Sequence, residues 1–362
     1  MSKNCYPDFA AGRGAPANAS PSRFNLKSRE ADGDWLDERV EIDGAIAPLK
    51  TQVTLEHPKT ILARNSSPDI PFDKSVNPYR GCEHGCIYCY ARPSHAFHDL
   101  SPGLDFESRL FAKPDAAKLL RAEIGRKGHV PTPIAFGTNT DAYQPIEREW
   151  RIMRQCLGVL AETNHPLTIT TKSDRVLRDL DLLAPMAAKG LVAVAVSVTM
   201  LDSKLHRILE PRAPRPEKRL AAIKGLVAAG IPTHVNVAPI IPAINDLEIE
   251  AILERAAEVG AKTASWIPLR LPHEVAPLFQ DWLQVHFPDR AGKVMSIVRS
   301  IREGRDNDPS FFQRMRGTGP WADLMRTRFK IAARKLGLNQ SKIQLRSDLF
   351  IPPRSDGQLA LF

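Results

Sequence analysis

The chain has 362 residues, with 50 Lys and Arg against 41 Asp and Glu, a formal charge of +9. With 43% hydrophobic and 25% charged residues it has an ordinary soluble globular composition, long enough for one large core or two modest ones. No run approaches about 18 apolar residues, the N-terminal MSKNCYPDFA has no apolar signal core, and five cysteines are too few for a disulfide scaffold. A membrane span is therefore excluded, and a cytoplasmic protein is expected.

Residues 1–70 mix Pro, Gly, Ser and Asn, as in AAGRGAPANASPSR, and read as an irregular, partly disordered N-terminal arm that wraps the rest. Within it, 43–55 alternates enough for a strand or hairpin. From about residue 71, short β-branched runs alternate with helical patterns. Strands are expected at 75–79, 133–137, 166–171, 191–199, 233–239 and 263–268. The run at 191–199, LVAVAVSVT, is apolar nearly throughout, as suits a parallel strand covered on both faces. Between the strands, 145–162 places Ile146, Trp150, Met153, Leu157 and Leu160 on one helical face. Residues 174–188 do the same with Val176, Leu177, Leu180, Leu183 and Met186, and 216–229 and 247–259 continue the series. Strand-then-helix repetition specifies parallel βα units. Six strands over roughly 195 residues give about 32 per unit, so the expected fold is α/β, a partial (β/α)6 TIM-like barrel over residues 71–270. In such folds chemistry sits beyond the C-terminal ends of the strands.

Residues 271–350 read as a helical, basic C-terminal extension and 351–362 as a flexible tail. Between Arg290 and Lys335, 12 Lys and Arg face four acids, which concentrates the charge excess there. On a helix from about 321, Trp321, Leu324, Met325, Ala332 and Leu336 form an apolar face, and Arg326, Lys330 and Arg334 share the polar side. Such a row can track a phosphate backbone, and exposed Phe311 or Phe312 can stack on bases. The competing reading is a solvated helix that caps the barrel with its aromatics buried.

Three cysteines fall within eight positions, in NPYRGCEHGCIYCYARP (77–93), spaced C-x3-C-x2-C. Thiolates are soft ligands suited to iron–sulfur clusters or zinc. A structural zinc wants four ligands; Cys5 and Cys156 are isolated, which leaves His84, His95 or His98 to complete a Cys3His site. A [4Fe–4S] cluster normally takes four cysteines, so three leave one iron open to an external ligand.

Cys82, Cys86 and Cys89, with the aromatic Tyr88 just before the third, resemble the radical S-adenosylmethionine (SAM) superfamily. The resemblance implies a [4Fe–4S] cluster whose open iron chelates SAM, a cellular reductant, and cleavage of SAM to a 5′-deoxyadenosyl radical that takes hydrogen from a substrate. In such an arrangement the cofactor carries the hard chemistry and the protein positions it. From about 60 to 340 the chain is similar to the branch related to spore photoproduct lyase, often labelled DNA repair photolyase-like. The segments that carry this likeness are NPYRGCEHGCIYCYARPSH, GLDFES, GTNTDAYQPIE, ITTKSDRVLRD, EPRAPRP and APIIPAIND. That branch implies a lyase-like reaction on nucleic acid, DNA above all, in DNA repair. A radical SAM reaction on tRNA, protein or a small molecule is the alternative.

The resemblance also assigns the strand ends. The family holds the methionyl part of SAM after its second strand, which here offers Gly137, Thr138, Asn139 and Asp141, with Gln144 or Glu147 as further ammonium acceptors. A capped helix start explains the same residues. Lys172 and Ser173 suit ribose hydroxyls or the SAM carboxylate, Ser173 being equally an N-cap. Ser197, with Thr199, suits ribose. Arg212 offers a fork for the SAM carboxylate, or pairs with Glu210. Ile240 and Ile241 resemble the family's adenine shelf, or are core. Spore photoproduct lyase uses a further cysteine as hydrogen donor. Here Cys156 sits on an apolar helix face and Cys5 in the arm, which argues against the strict reaction and leaves Tyr90 or Tyr143 as substitutes.

The last five residues, Gln358 to Phe362 (QLALF), resemble the bacterial sliding-clamp-binding pentapeptide, two apolar anchors and a glutamine on a flexible linker. A frayed hydrophobic tail is the other reading. A non-catalytic Fe–S or zinc protein that binds DNA or the clamp is the third functional class.

Overall fold

The computed structural model describes residues 12–18 and 49–353. Its strands are β1 (Gln52–Leu55), β2 (Leu62–Arg64), β3 (Lys74–Val76), β4 (Tyr79–Arg80), β5 (Arg109–Ala112), β6 (Ile134–Phe136), β7 (Leu167–Thr171), β8 (Val192–Ser197), β9 (Thr233–Ile240) and β10 (Thr263–Pro268). The large sheet runs β10-β9-β8-β7-β6-β3-β2. Its six strands from β3 to β10 are parallel, and β2 joins antiparallel at one edge. The sheet therefore curls as an open, partial barrel with β2 and β10 as its edges. β8 is buried on both faces, as its unbroken apolar run requires, whereas β7 and β9 alternate.

The expected strand at 75–79 is two. Pro78 has no N–H to give a ladder, so the chain leaves the large sheet after β3, and β4 enters a small sheet of order β1-β5-β4. β2 lies in the stretch expected to be irregular, where three residues carry no alternation to read. The helix expected over 145–162 breaks at Arg151 (φ 50°) into Glu147–Trp150 and Ile152–Glu162. Glu147 Oε2 takes the N–H of Met153, which that break leaves free. Residues 174–188 begin as a 3-10 turn, Asp174–Asp179, before the helix Leu180–Ala188.

The main core joins the sheet to the helices around it and includes Cys156, fully buried. A second core joins Cys86, Ile87 and Tyr88 to Leu269, Leu271 and the helices Val275–His286 and Pro288–Ser300. The helix Gly319–Lys335 packs Met325, Phe329 and Ala332 into the main core. Leu324, expected on the buried face, is exposed, because it lies one position off the stripe Ala322, Met325, Phe329, Ala332 that Phe329 completes. Arg326, Lys330 and Arg334 are exposed together, as the periodicity predicts. No helix among the described residues is long and apolar enough to cross a membrane.

Candidate active site

The three cysteines lie on the loop between β4 and the 3-10 helix Arg92–His98. Its shape depends on glycine. Gly81 and Gly85 have φ of 71° and 67°, and a Cβ on Gly81 would lie 2.7 Å from Phe106 O. Tight backbone turns bring Cys82 O to Gly85 N (3.3 Å) and Cys86 O to Cys89 N (3.2 Å). Cys82 and Cys86 are buried and Cys89 is half-buried, all as free thiols.

Arg92 ties this loop together from within. Fully buried, it donates Nε to Cys86 O (2.9 Å), Nη2 to Gly85 O (3.2 Å) and Nη1 to Pro102 O and Gly103 O. Its Nη2 also pairs with the equally buried Glu107 Oε1 at 2.8 Å. Glu107 in turn accepts Gly14 N and Ala15 N, each at 2.8 Å. Residues 12–18, expected to be part of a disordered arm, are thus sewn against the cysteine loop, with Arg13 Nη1 on Glu107 O at 2.6 Å. Gly14 approaches so closely that a Cβ there would sit 1.6 Å from Gly85 O.

Gln144 holds the loop from the other side, accepting Glu83 N (2.8 Å) and donating to Gly81 O (3.1 Å). Glu83 accepts from Thr51 Oγ1 and from Arg212 Nη2 at 2.5 Å. Arg212 therefore pairs with Glu83 rather than with its neighbour Glu210, and the rest of its guanidinium is partly exposed. Glu210 is fully buried; it accepts from Tyr88 OH, Thr199 Oγ1 (2.8 Å) and Arg219, and Lys172 Nζ lies 4.0 Å away. Burial alone would raise its pKa, but Arg219 and Lys172 outweigh that and hold it at about 2. Burial likewise opposes the Lys172 charge, yet Glu210 and Cys86 raise its pKa overall.

The other strand-end residues converge on the same rim. After β6, Gly137 (φ 79°) passes so near β7 that a Cβ would lie 1.9 Å from Thr170 O. Asn139 N donates to Asn77 Oδ1, and Tyr90 OH to Thr138 O. Asp141 accepts Tyr143 N, Thr171 Oγ1 and Lys172 N at 2.7–2.9 Å and faces His84 Nδ1 at 3.4 Å, so its lone pairs are committed. Ser173 caps the following 3-10 turn through Arg175 N. Ser197 is buried and gives its carbonyl to Arg219. Ile240 is buried in the main core and Ile241 in the second, so both pack as core and neither is presented as an open shelf. Tyr143 is buried on Asp179, whereas Tyr90 is half-exposed. Nothing in the local sequence marks Arg92, Glu107 or Arg219 as the side chains that hold this site, beyond an Arg three residues past Cys89.

Burial pushes the Cys82 thiol well up and Cys86 up to about 12; Asp141 and its sister thiols add to the first, Glu210 to the second. A metal that displaces the proton relieves that cost. Among the described residues, no three His, Cys, Asp or Glu are gathered around a point that one metal ion would fill. His95 gives Nε2–H to Arg109 O, His98 lies against Phe111 and His84 faces Asp141, and none of the three is gathered with the cysteines into a Cys3His group. Three thiols on one loop, electrostatically coupled but not converging on a single ion, fit a cluster that gives each thiolate its own iron.

A family model for the radical SAM superfamily matches residues 76–256. The chain belongs to the radical SAM superfamily. Membership makes it an enzyme of that class and implies SAM and an iron–sulfur cluster as cofactors, with a reductant to drive them. An uncharacterized protein of Mycobacterium tuberculosis is 38% identical over 232 residues, 64% of this chain and 68% of its own. Another from Methanocaldococcus jannaschii is 31% identical over 173 residues, 48% of this chain and 62% of its own. Among solved structures, spore photoproduct lyase complexed with dinucleoside spore photoproduct superposes with a TM-score of 0.58 at 15% identity, covering 79% of this chain and 80% of the lyase. A form of that lyase with bound AdoMet gives the same score and coverage. At that identity the likeness establishes a shared fold.

Proposed function

We propose that this radical SAM enzyme acts on nucleic acid, in a lyase-like repair of damaged DNA. The observation that carries the chemistry is the loop with three free thiols, Cys82, Cys86 and Cys89, with no fourth cysteine beside them among the described residues; Cys156 lies in the main core. These three would hold a [4Fe–4S] cluster, which with SAM supplies a 5′-deoxyadenosyl radical. The protein's own groups orient and exclude. Arg92 and Gln144 fix the loop backbone. The Gly137–Asn139 backbone offers acceptors for an ammonium, and Arg212 keeps donors free for a carboxylate. Asp141 and Ser173, whose oxygens are already engaged, act by setting the strand ends. Ser197 and Lys172 stand at the ends of β8 and β7, where ribose hydroxyls would lie.

The nucleic-acid substrate is supported by the fold shared with spore photoproduct lyase and by the exposed basic row Arg326, Lys330 and Arg334. Cys156 is fully buried in the main core, apart from the clusters that hold the cysteine loop, which argues against it as the hydrogen donor; Cys5 lies outside the described residues. That favours a relative of the lyase reaction over the reaction itself. Residues 358–362 also lie outside the described residues, and their QLALF sequence would bring the enzyme to a sliding clamp in the cytoplasm. Deuterium transfer from lesion-bearing DNA into 5′-deoxyadenosine tests the substrate. No transfer from any DNA by an enzyme that cleaves SAM would move the reading to tRNA, protein or a small molecule.

A further inference from the structure

Just before the short helix Gln313–Arg316 the chain holds two adjacent phenyl rings half in water, Phe311 and Phe312 (51% and 50% exposed). Phe312 has φ 64° and ψ −45°, and Gln313 N donates to Phe311 O at 2.8 Å, which makes a γ-turn centred on Phe312. Positive φ at a ring-bearing residue is strained, and the γ-turn of this sign is rare. Such strain survives only where the surroundings impose it, and it concentrates at ligand sites.

The surroundings do impose it. Asp69, its side chain almost fully buried, takes Arg314 in a fork at 2.7 and 2.5 Å and also accepts Phe312 N at 3.0 Å. The buried Arg302 donates to Gln313 O and Arg314 O from beneath and to Leu269 O just past β10. Arg314 lies over the Phe311 ring at 4.9 Å. Several charged anchors thus fix a turn that holds two rings half in water. A cleft runs between this turn and residues 68–71, with Arg316 exposed on its rim. On the inner side Met315 touches Arg270, which lies over the half-exposed ring of Tyr90, next to Cys89.

We infer that Phe311 and Phe312 form a stacking platform for unpaired bases of a single-stranded or locally opened DNA segment, with Arg316 taking a phosphate. The chemistry matches the occupant: aromatic faces accept any base, and the exposed Arg316 beside them can neutralise a phosphate. The platform fixes the bases flanking the reacting one at the mouth beside Tyr90. This inference rests on the nucleic-acid reading above.

The test is binding of a single-stranded oligonucleotide containing 2-aminopurine to the full chain, followed by fluorescence quenching. The wild type quenches the probe. Phe311→Leu/Phe312→Leu, which keeps apolar bulk but removes both π faces, abolishes quenching and weakens binding at least about fivefold per lost stack. Phe312→Gly relieves the positive φ, so its thermal midpoint holds or rises while its affinity falls; a ring that served folding alone would lower the midpoint and leave affinity intact. If the double variant binds and quenches as the wild type does, the platform is wrong and the nucleic-acid reading stands. If the wild type itself binds no single-stranded oligonucleotide, the platform is wrong, and deuterium transfer from lesion-bearing DNA decides the nucleic-acid reading separately.

Discussion

Arg92 and Glu107 form an ion pair at 2.8 Å in which neither side chain reaches solvent. Around it are gathered the carbonyls of Gly85 and Cys86, the turn at Pro102 and Gly103, and the amides of Gly14 and Ala15. A buried pair returns little net stability against its desolvation, but removing one partner strands the other at about 3–5 kcal/mol. What the pair gives here is one defined path for the loop that carries the thiols. Arg92→Lys keeps the charge and loses the fork, so it should fold with a lowered thermal midpoint and bind less iron per chain than the wild type. Arg92→Met should bind least. Iron analysis after anaerobic reconstitution, with a melting curve, checks both.

Gly14 touches Gly85 with no room for a methyl group. Gly14→Ala should displace residues 12–18 and leave Glu107 short of two N–H donors. A loss of about 1–3 kcal/mol is expected, as for overpacking of a tight site. Denaturant unfolding measures it; an unchanged midpoint would mean that residues 12–18 do not pack against Gly85.

Glu210 provides a pH signature. Its folded pKa is depressed from 4.5 to about 2, with burial opposed and outweighed by Arg219 and Lys172. A carboxyl of this kind contributes stability above its unfolded pKa and loses it as the pH falls through its folded one. The wild type should therefore lose on the order of 3 kcal/mol between about pH 4.5 and pH 2 that Glu210→Gln does not lose over that window. At neutral pH the variant starts lower, because Arg219 is left buried without its counter-charge. Unfolding free energies across pH 2–7 for both proteins give the difference.

The row Arg326, Lys330 and Arg334 is exposed on the helix Gly319–Lys335, with Arg326 also reaching Asp323. Replacing all three with Gln should weaken DNA binding evenly across sequences. It should also reduce the slope of log K against log salt by up to about 2, near 0.7 for each lost phosphate contact on single strands. A slope that does not change would assign the row to solvation alone.

Much of this architecture is legible in the sequence, because period and spacing are local properties. All six parallel strands of the barrel overlap the expected runs, and the cysteine spacing marks its loop without help from the fold. What the sequence withholds is partnership. Spacing alone pairs Glu210 with Arg212, two residues on, yet Glu210 pairs with Arg219, while Arg212 crosses to Glu83, 129 positions away. Glu107 stands in the quoted GLDFES, but nothing local says that its carboxylate waits for residues 14 and 15. Pro78 does announce the break between β3 and β4, and the regularity of the run around it hides the signal.

The most direct measurement is SAM cleavage by the anaerobically reconstituted, reduced enzyme, with 5′-deoxyadenosine quantified for the wild type and for Cys82→Ala, Cys86→Ala and Cys89→Ala. The account predicts 5′-deoxyadenosine from the wild type and none from any of the three variants. Intact SAM in the presence of a fully assembled cluster, or cleavage that survives loss of one of these cysteines, would contradict it.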